Sequence, residues 1–577
     1  MNGDVLLQSS HAGAWLHFRN PLEIITTTDP VLVYPLLNQI EQSVTRHGLY
    51  AAGFLTYEAA PAFDPAFQVH PPSILPLLWF GLYQPPLPTD LPALKQDTFK
   101  LGHWQPAIDQ AAYETSLLRI KDHISRGETY QVNYTMRLRT NFAGDPRGLF
   151  GRLVDSQRSE YAAYVDTGAT VICSASPELF FRRDGATVMT KPMKGTAARG
   201  KTWIEDERQV DGLRRSLKNR AENVMIVDMV RNDMGRIATA GSIRVPQLFD
   251  VERYPTLLQM TSTVTARSNV STAEIMAALF PCASITGAPK VRTMEIIRQL
   301  EPEPRGIYTG CIGYIAPNRQ SQFNVAIRTV VIDQSSGVAE YGVGGGVVWD
   351  SEPTQEYQEC QLKAKVLTET HPNFELLETI LWEPAGGYFL LAEHLHRLAE
   401  SARYFSIPVD YNHLRHELEL LAAPFDRPHR VRTLIASNGD ITTQAIPLDS
   451  PPAQKRWRVA IARQSVNAND IFLFHKTTHR RVYNTAREAQ PDYDDVILWN
   501  EQGQVTEATI ANIVVQFGDD LVTPPINCGL LAGTYRAHLL ARQAIRERVI
   551  TIEELKRSDR IYLINSVRKW IEAELVA

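Results

Sequence analysis

Cysteine is scarce. Five residues (Cys173, Cys282, Cys311, Cys360 and Cys528) are scattered over 577 positions, odd in number and with no pair at metal-ligand spacing. That excludes a disulfide framework and a thiolate metal site, and reduced, mostly buried thiols are expected. Long apolar runs are missing as well. The most apolar segment, Ile74 to Tyr83, contains Pro76 and falls far short of the roughly 20 residues that span a bilayer. Met1 to Trp15 has neither a basic start nor a continuous apolar stretch, so no secretory signal is expected and the cytoplasm is the expected location. Charge of one sign is lacking too. Against 59 Lys and Arg stand 64 Asp and Glu, a net charge of −5, which gives neither nucleic acid nor an anionic membrane a reason to bind. No internal repeat or low-complexity tract occurs, although Gln84 to Pro92 forms a proline-rich connector.

What is present is an ordinary globular composition, 44% hydrophobic and 21% charged. At about 100–200 residues per domain, the length calls for two large domains or three to four ordinary ones. Asp109 to Arg126 carries apolar residues at helical spacing, whereas Ala169 to Cys173 and Ala186 to Met189 read as strands. The irregular mixture predicts an α+β architecture with large sheets. Near Thr368 to Phe374 a charged helix ends, His371-Pro372-Asn373 breaks it and Phe374 to Trp382 restarts as a strand. The expected domains are therefore 1–370 and 371–577.

Within the first, Lys218 to Asp228 is helical by pattern. Glu222 has Met225, Ile226 and Met229 at i+3, i+4 and i+7. A carboxylate on an apolar stripe costs several kcal/mol unless it is paired with a cation, so a buried salt bridge and a metal site both remain open. A second helix is predicted from Pro353, with Glu356, Glu359 and Lys363 on one face. Such a stripe reads equally as a solvated salt-bridge ladder. Just before it, Gly342-Val343-Gly344-Gly345-Gly346 would let backbone N–H groups approach an anion. Oxygen ligands from two helices would suit Mg²⁺, which also binds an anionic substrate. Lys194 is predicted to sit in a small-residue turn after a strand, and desolvation could turn such a lysine into a nucleophile.

These segments occur in a fixed order with Gly127-Glu128-Thr129-Tyr130-Gln131-Val132-Asn133, Ser176-Pro177-Glu178-Leu179-Phe180, Arg231-Asn232-Asp233, Pro281 to Lys290 and Ala326-Ile327-Arg328-Thr329. The series resembles the chorismate-utilising enzymes (anthranilate, aminodeoxychorismate, isochorismate and salicylate synthases) over roughly residues 50 to 368. The resemblance implies a chorismate–Mg²⁺ site. Glu222 and Glu359 would be metal ligands with Glu356 nearby. Thr286, Tyr308, Arg328, Lys363 and the backbone of Gly344, Gly345 and Gly346 would hold the substrate. Two positions then choose within the family. Lys194 stands where anthranilate synthases have alanine, and Gln259 where they have histidine, which implies amination at C4 without pyruvate loss. Lys194 would be the nucleophile and Glu178 the acid that protonates the departing hydroxyl. Cys311 lies inside this domain's own pattern and no stretch remains for a glutaminase. Ammonia is thus expected from a separate glutamine amidotransferase subunit or from free ammonium.

In the second domain, Leu391, Leu395, Leu398, Ala402 and Phe405 make a helical stripe that carries Arg397. Lys476 is predicted in a polar turn, Glu507 opens a strand-like stretch, and Gly529 to Arg536 reads as a glycine turn before a helix whose start suits a phosphate. A lysine, an acid, an arginine and a phosphate-binding helix start are what a pyridoxal-phosphate enzyme requires. Together they resemble the class IV aminotransferases (fold type IV, like D-amino-acid aminotransferase) over about 374 to 577. The resemblance implies pyridoxal 5'-phosphate carried on Lys476, with Glu507 at the pyridinium nitrogen and Arg397 and Thr534 at the phosphate. Asn565-Ser566-Val567-Arg568 matches a family motif but is followed by Lys569 rather than glycine. The pairing of the two domains implies 4-aminobenzoate synthesis from chorismate in one chain, with a lyase second domain. An amino-acid aminotransferase there, or an anthranilate-forming first domain, are the alternatives.

Overall fold

The computed structural model describes residues 3–90, 98–368, 372–448 and 456–576. The expected boundary at 370/371 and Pro92 of the connector lie outside them. Two compact units emerge: Met1–Ala198 with Val210–His371, and Arg199–Gln209 with Pro372–Ala577. A single cut in the sequence therefore misses one excursion of the chain.

The first unit is built on two antiparallel sheets, eleven-stranded and ten-stranded among the described residues. They share a core of Val5, Leu7, Phe18, Phe54, Ile172 and Tyr314. In the larger sheet the long strand Gln131–Gly144 runs against Val338–Val347 in unbroken register, from Val132↔Val347 to Asn141↔Val338. The helices Gln110–Ser125, Pro146–Gln157 and Pro353–Ala364 cover its outer face through Leu117, Phe150 and Tyr357. The other sheet is covered by Pro30–His47, Leu217–Gly235 and Thr272–Leu279. Side chains alternate across each strand, so one sheet face meets helices and the other meets the opposite sheet.

Local signals set the helix ends. Asp109 accepts from Ala112 N (2.8 Å) and Ser216 accepts from Asn219 N (3.3 Å), each satisfying an N–H that the helix itself leaves free. The Glu222 helix buries Asn223, Ile226, Val227, Val230 and Met234. Its true inward stripe is thus one position beyond the one the sequence pattern suggested, and Glu222 flanks it half-buried.

Among the described residues the second unit has a four-stranded and an eight-stranded sheet. Leu391–Phe405 and Tyr411–Ala422 pack on the smaller one through Leu395, Leu398, Ala402, Leu414 and Leu418. No helix among the described residues is long and apolar enough to cross a membrane.

Candidate active sites

In the first unit a cavity of about 320 Å³ gathers Glu178, Lys194, Glu222, Arg328, Glu359 and Lys363. Tyr308, Gly344, Gly346 and Glu356 also line it. Residues far apart in the chain meet there: Asn133 from the strand Gln131–Gly144, Gly344 and Gly346 from Val338–Val347, and Glu356, Glu359 and Lys363 from the helix Pro353–Ala364. Thr286 and Gly345 are not wall residues. The Thr286 hydroxyl donates to the Cys282 carbonyl (3.1 Å), and its neighbours Ser284 and Ile285 line the cavity instead.

Lys194 lies on the strand Met193–Ala198 rather than in a turn. The pairing to Leu257–Arg267 shifts register between Met193 and Thr196, and Gly195 has φ +96°, a conformation that disfavours any side chain. The resulting bulge is tied down by Gln259, whose amide donates to Gly195 O (2.9 Å) and accepts from Thr196 Oγ1 (3.1 Å). Gly346 faces the lysine: a methyl group there would stand 2.7 Å from Lys194 Nζ and 2.1 Å from Gln131 Nε2. Burial pushes the Lys194 ammonium below its ordinary range, and Glu222 opposes that.

Glu178 is buried at the cavity wall, where burial pushes its carboxyl up to about 7 against a hydrogen bond from Ser284 Oγ (2.6 Å) and the charge of Lys194. Glu222 is raised by burial against the pull of Lys194 and Lys218. Glu356 is raised by burial and by Glu359, and accepts from Ser351 Oγ (2.7 Å). Lys363 holds Glu359 below the usual carboxylate range through an ion pair of 2.6 Å, and also donates to Gly344 O (2.9 Å). Arg328 donates to the Lys363 carbonyl.

Among the described residues no group of three or more His, Cys, Asp or Glu is arranged as a metal cage. Mg²⁺ does not need one, since it keeps waters and uses one or two carboxylates with substrate oxygens. The hard carboxylate oxygens of Glu222 and Glu356, whose charge burial disfavours, together with those of Glu359, fit such an ion. Sequence reasoning missed Gln157 and Tyr254 in this wall, and gave no role to Lys218 and Asn133, which stood within segments it singled out. Only Lys218, four residues before Glu222 and so on the same helical face, left a usable signal.

The second unit holds a cavity of about 390 Å³ lined by Lys476, Arg397, Glu507 and Thr534 together. Burial pushes Lys476 down to about 8. Glu507 is raised by burial to about 7, and its oxygens accept from Tyr483 Oη (2.8 Å), Leu531 N (3.1 Å) and Asn512 Nδ2 (3.2 Å). Arg397 lies against Glu378, which accepts from it at 2.9 and 2.6 Å and meets His394 Nδ1 at 2.7 Å. These partners outweigh burial and hold Glu378 at about 2. Glu378 is a residue that sequence pattern did not single out. The helix Thr534–Ala541 starts at Gly533 without a side-chain cap, which leaves first-turn N–H groups for an anion. An amine near neutrality, a fixed buried acid and an anion-binding helix start fit pyridoxal phosphate.

Comparison with known proteins agrees with both halves. Residues 6–369 match the family of chorismate binding enzymes, and residues 375–576 match the amino-transferase class IV family. Aminodeoxychorismate synthase component 1 of Bacillus subtilis is 38% identical over 281 residues, 48% of this chain and 59% of that protein. Anthranilate synthase component 1 of Thermus thermophilus is 38% identical over 268 residues, 46% of this chain and 58% of that protein. The chain covers less than two thirds of either relative's length. The crystal structure of anthranilate synthase component I from Streptococcus pneumoniae TIGR4 superposes with a TM-score of 0.54 at 24% identity, covering 64% of this chain and 92% of that one, which establishes the shared fold. The chain belongs to the chorismate binding enzymes, and carries a class IV aminotransferase domain after that fold in the sequence.

Proposed function

We propose that the chain converts chorismate to 4-aminobenzoate in two steps, one in each unit. Overall identity does not choose between an aminodeoxychorismate and an anthranilate product, being 38% to a relative of either kind. The observation that carries the choice is Lys194, half-buried in the acid-lined cavity with Glu178, on a bulge that Gln259 ties down through Gly195 and Thr196. Neutral Lys194 adds to C2 of the ring while Glu178 gives its proton to the C4 hydroxyl, which leaves as water. Ammonia then adds at C4, the lysine–C2 bond breaks, and the proton released by the new amine is free to recharge Glu178. Glu222 and Glu359 would hold Mg²⁺, with Glu356 beside them, and the ion would neutralise substrate carboxylate charge. Arg328, Tyr308, Lys363 and the Gly344 and Gly346 backbone complete the chorismate pocket. Ammonia comes from a separate glutamine amidotransferase subunit or from solution. Cys311 is no substitute, because it is buried in the strand Cys311–Ala316, where desolvation pushes its thiol up.

In the second unit Lys476 takes the proton from C4 of aminodeoxychorismate, the C3–O bond breaks with its electron pair on the enolpyruvyl oxygen, which aromatises the ring, and the departing enolate takes up one proton to become pyruvate. Pyridoxal phosphate, held by Lys476, Glu507, Arg397 and the Thr534 backbone, supplies the electron sink for that carbon. The test is incubation of the full chain with chorismate, ammonium, Mg²⁺ and pyridoxal phosphate, with products identified by liquid chromatography and mass spectrometry. Equimolar 4-aminobenzoate and pyruvate are expected. Accumulating aminodeoxychorismate would refute the lyase step, and anthranilate would refute the first assignment.

A pH dependence follows from Glu178. Its proton is the reactive one and its carboxyl titrates near 7, so amination at fixed free ammonia should fall as pH rises through about 7. The Ser284 hydrogen bond favours the carboxylate. Ser284→Ala should therefore raise the Glu178 pKa and move the falling limb of kcat/KM upward by on the order of one pH unit. An unmoved limb would show that another group controls it.

A further inference from the structure

One wall residue of the Lys194 cavity stands outside the chemistry of Lys194 and Glu178. Gln157 ends the helix Pro146–Gln157, where Arg158 turns left-handed (φ +48°) and leads the chain into the strand Tyr161–Asp166. Tyr161 pairs with Ser176, which is followed by Pro177 and Glu178. Adjacent strands thus bring Gln157 and the acid to the same end of the sheet, and both line the cavity. Gln157 is 1% exposed, and neither its Oε1 nor its Nε2 has a hydrogen-bond partner. No other wall residue among those described has a buried side-chain nitrogen or oxygen in that state. Gln259, by contrast, commits its amide to Gly195 and Thr196.

A buried amide without partners is destabilising, because its polar atoms have left water and gained nothing in exchange. A ligand that offers an N–H to Oε1 removes that penalty. In the amination proposed for this cavity, the carboxylates of chorismate belong to Arg328, Lys363 and the ion held by Glu222 and Glu359. The second substrate, ammonia, has no holder among these residues. It must be neutral to attack, since ammonium has no lone pair. A carboxylate partner favours ammonium, whereas a carboxamide oxygen accepts an N–H without adding charge. The wall around Pro177 suits a neutral molecule. Met193, Tyr254 and Leu257 form an apolar cluster there, with Tyr254 Oη 3.3 Å from the Pro177 carbonyl.

We propose that Gln157 receives ammonia: its Oε1 accepts one N–H and aims the nitrogen lone pair at C4 of the ring. Glu178, a carboxylate once its proton has gone to the departing hydroxyl, accepts a second N–H. The lone pair forms the C4–N bond, the two ring double bonds shift back by one position each, and the C2–Nζ electron pair returns to Lys194. The surplus proton of the new C4 ammonium then passes to Glu178. This rests on the reading of the cavity as an amination site and adds the residue that holds its second substrate.

The test measures aminodeoxychorismate plus 4-aminobenzoate formed by the full chain loaded with Mg²⁺ and pyridoxal phosphate. Ammonium chloride is the nitrogen source, varied at saturating chorismate and fixed pH and ionic strength, and chorismate binding is followed separately by calorimetry. Gln157→Leu should raise the KM for ammonium about 10-fold, the effect of one lost hydrogen bond. The kcat and the affinity for chorismate should stay within a few-fold. Gln157→Met, which keeps the unbranched shape of glutamine without its oxygen, should behave alike and decides the matter where leucine spoils chorismate binding. An unchanged ammonium KM in a variant that binds chorismate would overturn the role of Gln157 and leave the amination reading intact. Chorismate binding weakened in both variants would assign the amide to chorismate and overturn that role equally. A wild-type chain that forms no C4-aminated product would overturn the amination reading and the role of Gln157 with it.

Discussion

Replacing Lys194 by alanine is expected to lower formation of C4-aminated product by roughly 10³-fold or more, because it removes the nucleophile and not merely a contact. A lysine free in water is protonated at neutral pH and inert. Here burial lowers its pKa, which enlarges the neutral fraction, while Glu222 beside it limits the drop. Lys194→Arg separates nucleophile from charge. Arginine keeps a positive charge near Glu222 but stays protonated, so it should be as inactive as alanine. Chorismate should still bind both variants, since Arg328, Lys363 and the glycine backbone are untouched. The measurement is ammonia-dependent product formation at saturating chorismate, with binding followed by calorimetry. A rate within a few-fold of wild type in either variant would sink the covalent step. Lost binding together with lost rate would mean that Lys194 serves only to neutralise the carboxylates.

Part of this site was legible in the residues alone. Period and spacing placed Glu222 on a helix and put Glu356, Glu359 and Lys363 on one face of another, and both helices form as read. Lys194 was harder to see. By itself it is an unremarkable lysine near a strand, and only the order of the surrounding motifs singled it out. Its bulge arises from a register shift against Leu257–Arg267, and pairing register is a property of two distant strands. The same reason hid the Ser284–Glu178 bond, which joins residues 106 apart, and Glu378, which a strand delivers to Arg397 and His394 on a helix. A sequence reports the period of each element. Which elements meet is decided by long-range pairing such as Gln131–Gly144 against Val338–Val347. The excursion of Arg199–Gln209 into the second compact unit was invisible for that reason too, since nothing in its composition marks a boundary.

Lys476→Ala should stop 4-aminobenzoate release, again by roughly 10³-fold or more, while leaving amination of chorismate at the wild-type rate. Aminodeoxychorismate should therefore accumulate in place of 4-aminobenzoate and pyruvate. The argument rests on what else in the cavity could move the proton. Glu507 is buried and already accepts from Tyr483, Leu531 and Asn512, so its oxygens are committed. Arg397 and Arg480, which also line the cavity, offer N–H donors and no acceptor. Lys476, held at about 8 by burial, is the amine with an accessible neutral form among these groups. A readout other than turnover is available. Borohydride treatment of the loaded wild-type chain should leave the pyridoxyl mass on the peptide containing Lys476, and the variant should carry none. A variant that still releases 4-aminobenzoate with pyruvate at the wild-type rate would place the second step outside this cavity. Loss of amination as well would show that one replacement had disturbed both units, and Lys476→Arg, which preserves charge and bulk but cannot carry the cofactor, then isolates the chemical role. If arginine restores amination yet not 4-aminobenzoate, the lysine's amine carries the second reaction. If it restores both, the residue's part is structural and the lyase assignment falls.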